Sequence, residues 1–65
     1  MNKIALNKMQ TKYLLTFPES GMGYQIVNIL MDDGSLLKNK TVLNSTFLNI
    51  DEFIDVNKIK EIFVQ

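Results

Sequence analysis

The chain has no histidine, cysteine, arginine or tryptophan among its 65 residues. Without histidine it lacks the side chain that titrates near neutral pH, and without cysteine it lacks thiol nucleophiles. The same two absences remove disulfides and the usual structural zinc sites. A domain this short buries only roughly 60% of its unfolded surface, so it must be held by apolar packing, by sheet closure or by a second subunit. The apolar fraction, 46%, is enough for a compact core. No enzyme activity is expected, and no catalytic, cofactor-binding or metal-binding residue is assigned.

Charge of one sign is also missing. Seven lysines balance seven acids, whereas a dedicated nucleic-acid binder carries a basic stripe. No stretch approaches the roughly 20 apolar residues that span a bilayer. Residues 1–8 hold no continuous apolar run of the secretory type. The expectation is a soluble cytoplasmic protein without a membrane partner. Abundant Lys, Asn and Ile beside a single Ala reflect an AT-rich coding sequence rather than a function.

Residues 1–11, in which Ile4, Leu6 and Met9 form only a weak stripe, are expected to be a flexible extension. Residues 12–65 then form a single β domain. Lys12 to Phe17 reads as a strand with Tyr13, Leu15 and Phe17 on one face, stopped by Pro18. Residues 18–23 are a loop. Tyr24 to Met31 is the strongest strand, and Asp32-Asp33-Gly34 is a hairpin signal.

Two hairpin registers compete. A two-residue Asp33-Gly34 turn pairs Val27 with Lys40 and mixes apolar and charged residues on one face. A turn one residue longer, with Gly34 in the left-handed bulge position, pairs Ile29 with Leu37 and Val27 with Asn39. It leaves Asn28, Lys38 and Lys40 on the opposite, exposed face. A one-residue slip exchanges faces, so the cleaner sorting selects the longer turn. Asn44-Ser45 is expected to be a second tight turn, setting Val42 opposite Phe47. Asp55 caps a brief helical turn before a closing strand over 60–64. A helix over 56–63 competes, with Val56, Ile59 and Phe63 in phase, but the β-branched ending favours the strand.

The sum is an all-β fold with a minor helical turn, a small antiparallel sheet curled into an SH3-like, partly open barrel. A flat meander that dimerises is the competitor.

Candidate chemistry is sparse. Asp32 and Asp33 are ordinary turn residues. Asp51, Glu52 and Asp55 lack the spacing of a calcium loop. Ser20-Gly21-Met22-Gly23 has no lysine and leads into a strand, unlike a phosphate loop. Asn39-Lys40-Thr41 and Asn44-Ser45-Thr46 match the glycosylation acceptor pattern, which has no meaning for an unexported chain. Lys38 and Lys40 form a modest positive face, with Tyr13, Tyr24 or Phe47 as stacking platforms for a single strand. Met22, between two glycines, either caps the open end of the barrel or is an adaptable contact point.

From Gly23 to Leu43 the chain resembles small bacterial proteins that pair a Gly-Tyr-Gln-Ile-Val strand with an Asp-Gly hairpin and a Val-rich second strand. They end in an acidic segment with Ile-x-x-Ile, here Ile59 to Ile62. The resemblance covers about two-thirds of the chain. It implies a β fold and brings no activity, cofactor or site.

The functional expectation is a protein-interaction module contacting an unidentified protein through Met22, Tyr24, Lys38 and Lys40. The alternatives are a weak single-stranded RNA or DNA binder and an accessory subunit of a larger complex. Homodimerisation through a sheet edge follows from the small core.

Overall fold

The computed structural model describes residues 2–65. It is an antiparallel five-stranded sheet in the order β1-β4-β3-β2-β5, and the sheet is not closed. The strands are β1 (Asn2–Ala5), β2 (Tyr24–Met31), β3 (Leu36–Leu43), β4 (Phe47–Ile50) and β5 (Ile59–Val64). One α-helix, α1 (Lys8–Leu14), and one 3-10 turn (Val56–Lys58) complete the elements of the described residues. The all-β expectation holds.

Alternation along β2 places Gln25, Val27, Ile29 and Met31 inward. They meet Val42, Leu48, Ile50 and Ile62 from the neighbouring strands, and Leu6 and Leu14 close this core from the N-terminal segment.

That segment corrects the sequence reading. The extension expected over 1–11 begins with Met1, which lies outside the described residues. Asn2–Ala5 pair with β4, Ile4 opposite Leu48 and Ala5 opposite Phe47. Lys8–Leu14 are helical, so the expected boundary at residue 12 falls inside α1, and the strand over 12–17 does not form.

A capping box explains the helix. The Asn7 carboxamide oxygen accepts from Gln10 N at 2.9 Å, and the Gln10 side chain accepts from Asn7 N at 3.0 Å. Tyr13 and Phe17, which read as alternate strand positions, instead meet edge-to-face about one helical turn apart, their ring centroids 5.0 Å apart. Leu14 is the helix's one buried side chain. Asn7→Ala should cost about 1 kcal/mol, within the range for lost N-caps, and lower the thermal midpoint by about 4–8 °C. An unchanged midpoint by circular dichroism would show that the cap contributes nothing.

The first hairpin follows the longer turn at its tip. Gly34 is left-handed at φ 93°, and Ile29 opposes Leu37. Farther along, the expected pairing of Val27 with Asn39 fails, because Asn39 itself adopts φ 58° and forms a bulge. Val27 therefore pairs with Lys40. The second turn is also longer than expected. Asn44 and Ser45 both take positive φ, Thr46 is left over, and Leu43 rather than Val42 opposes Phe47. Thr46 is used: its carbonyl accepts from Leu6 N at 2.8 Å, which draws the N-terminal segment onto the sheet. Asp55 caps the 3-10 turn as expected, accepting from Asn57 N at 2.9 Å, and β5 follows.

Candidate interaction surface

The sheet has two faces, and α1 covers one. On the other, cross-strand pairing sets Tyr24 opposite Leu43, Leu43 opposite Phe47, and Phe47 opposite Ala5. One apolar row thus crosses four strands, a span of about 15 Å at the usual strand spacing. Leu30 and Leu36 pair at the hairpin end of the same face, and Phe63 stands on the neighbouring β5. Tyr24 is 37% exposed, Phe47 42% and Phe63 44%. Tyr24 and Phe47, half-covered in one row, differ from scattered surface side chains, because a contiguous apolar patch marks a contact surface.

The four residues expected to make contacts are dispersed. Met22 stands at the loop tip, 98% exposed, rather than folded over the end of the sheet. Tyr24 lies in the apolar row. The space above Gly21 is filled by the Tyr24 ring, so a side chain there would strike it. The intervening loop closes on its own strand: Ser20 N donates to Tyr24 O at 2.9 Å, and Ser20 Oγ accepts from Ile26 N at 3.0 Å.

Lys38 and Lys40 do not share a face. The bulge at Asn39 turns Lys40 to the side of Val27, where its Nζ contacts Glu52 Oε1 at 3.0 Å and only 21% of its side chain is exposed. The Lys40 hydrogen bond holds the Glu52 carboxyl below its ordinary range. Asn28 and Gln65 brace the bulge. Asn28 Oδ1 accepts from Asn39 N and from Gln65 Nε2, both at 3.0 Å, and Gln65 also donates to Asn39 Oδ1 at 2.8 Å.

The acidic residues do not converge. Asp33 accepts from Ser35 N at 2.8 Å, and this hydrogen bond lowers its pKa, an ordinary turn arrangement. Among the described residues, no group of three potential ligands gathers to hold a metal ion. No helix among them is long and apolar enough to cross a membrane.

Sequence reasoning singled out Tyr24 but missed Leu43, Leu30 and Phe63. The available signal was that β2 is apolar at both parities, Ile26 and Leu30 as well as Val27 and Ile29. Such a strand has two faces to cover. No family model, curated protein or solved structure matches the chain.

Proposed function

We propose that the chain is a non-enzymatic protein-interaction module and that the outer face of its sheet docks a partner protein. The observation behind this reading is the unbroken apolar row Tyr24–Leu43–Phe47–Ala5, which the chain's own helix leaves open. Such a face loses its contact with water only against another surface. Met22, 98% exposed two residues before Tyr24, adds an adaptable apolar contact. Single-stranded nucleic acid fits less well, because Lys40 is engaged by Glu52 and separated from Lys38 by the bulge. Where the partner is a second copy, the open β1 edge offers backbone pairing as well.

Phe47→Lys tests the reading. A half-exposed site should cost no more than about 1 kcal/mol in stability, or about 4–8 °C in thermal midpoint. Retention of partners in affinity capture from the source cell should fall at least about tenfold, the equivalent of 1.4 kcal/mol. Unchanged retention by a folded variant would contradict it.

A further inference from the structure

β5 is an edge strand, and its free side borders the helix. The hydrogen-bond phase shows which of its main-chain groups are open. Gln65 N donates to Ile26 O at 2.9 Å, and Val27 pairs with Val64. In an antiparallel ladder hydrogen-bonded pairs alternate, so Phe63 and Glu61 bond to β2 while Ile62 and Val64 turn their N–H and C=O groups outward. Among the described residues, no other hydrogen bond reaches these groups across the edge. They form a template for one more strand.

Beside this edge lies a groove of about 220 Å³, walled by Met9, Gln10 and Tyr13 of α1 and floored by residues 59–62 of β5. Drug-sized pockets occupy about 300–1,000 Å³, so this groove suits an inserted side chain better than a free metabolite. Gln10 holds the helix in place, its Nε2 donating to Val56 O at 2.7 Å just before β5 begins. An edge strand with an apolar groove under a flanking helix has the parts needed for peptide recognition by strand addition: main-chain bonds for affinity and a pocket for every second side chain.

Charge selects the occupant. α1 carries no acid, and its Lys12 lies about one helical turn from the lining residue Met9. Lys60 is the extra residue where β5 slips against Leu30 and Met31, and it lines the groove. Glu61 belongs to the lining, but strand alternation turns its side chain to the outer face, opposite Leu30. A second copy paired edge to edge would bring two such basic rims together. A segment with acids flanking an apolar residue complements the rim.

We propose that the β5 edge and the α1 groove form a strand-addition site for an extended peptide bearing one apolar side chain between acidic neighbours. This surface is separate from the outer face, so the two readings stand or fall independently.

The test uses the end-blocked peptide Glu-Val-Leu-Thr-Glu titrated into the full chain and followed by amide NMR. Binding should shift the Ile62 and Val64 amides and slow their exchange with solvent at least about tenfold. N-methylating one alternate set of peptide amides should abolish binding, while methylating the other set should leave it intact. The double substitution Lys12→Glu and Lys60→Glu should weaken binding about tenfold or more and turn the preference toward the Lys-Val-Leu-Thr-Lys peptide. Phe47→Lys should bind the peptide normally. The proposal is overturned by silent Ile62 and Val64 amides at millimolar peptide, by equal loss with both methylated sets, or by indifference to charge. It is equally overturned if sedimentation and concentration-dependent protection show the edge occupied by a second copy.

Discussion

Replacing Leu14 by alanine should lower the thermal midpoint by about 10–30 °C. Leu14 is fully buried and is the only helix residue that reaches the core. A seven-residue helix is well below the length that is stable alone, so α1 exists because it is docked. Truncating a buried leucine costs about 2–5 kcal/mol, against a total stability of about 0.05–0.15 kcal/mol per residue. Each kcal/mol moves the midpoint of a domain this small by about 4–8 °C. The loss also opens the buried cluster that Leu14 shares with the inward residues of the sheet. Circular dichroism melting decides the matter, and a fall under about 5 °C would show that α1 is dispensable to the fold.

Gln25→Leu should be nearly as damaging, although it puts an apolar residue at a buried position. Gln25 is 1% exposed. Its Nε2 donates to Leu14 O at 2.9 Å, which also accepts from Phe17 N at 3.1 Å, and to Phe17 O at 3.3 Å, just past the end of α1. Its Oε1 accepts from Ser45 Oγ at 3.4 Å. Among the described residues no buried side-chain polar atom lacks a partner, and leucine would strand groups on both sides. Each stranded group costs about 1–3 kcal/mol, so a total of about 2–4 kcal/mol is expected from urea unfolding.

Gln25→Glu sharpens the account. A carboxylate among backbone carbonyls is disfavoured, so its folded pKa rises above the unfolded value of about 4.3. The protonated acid can still donate a hydrogen bond. This variant's deficit should therefore be smallest below about pH 4.3 and grow as the pH rises through the folded pKa. A deficit independent of pH would mean that the donor at position 25 does not matter.

Where one face of a strand is plainly inward, the fold is legible in the chain. The alternation of β2, the left-handed Gly34, the Asp55 cap and the β-branched end of β5 are local signals, and local geometry obeys them. The helix was hidden because Tyr13, Leu15 and Phe17 satisfy a strand period while Tyr13 and Phe17 also satisfy a helical one. The decisive signal was Asn7 with Gln10, a capping box built from carboxamides rather than from the Ser or Thr and Glu of its commoner form. The bulge at Asn39 was illegible for a different reason. Its left-handed backbone is braced by Asn28 and by Gln65, the last 37 residues away from Asn28 in sequence, so no local pattern announces it. One displaced residue was then enough to move Lys40 to the inner face and to dissolve the expected basic pair. The outer apolar row was obscured for a similar reason, since it joins four strands whose order the chain does not state.

A photoreactive phenylalanine placed at position 47 in the source cell addresses the docking face directly. Irradiation should yield a discrete covalent adduct, and Tyr24→Lys in the same chain should suppress it. The same probe at exposed Lys12, on the opposite side of the sheet, should not give that adduct. A discrete adduct of twice the chain's own mass would name a second copy as the partner. An identical set of adducts from positions 47 and 12, or none from position 47, would contradict the assignment of the outer face as the contact surface.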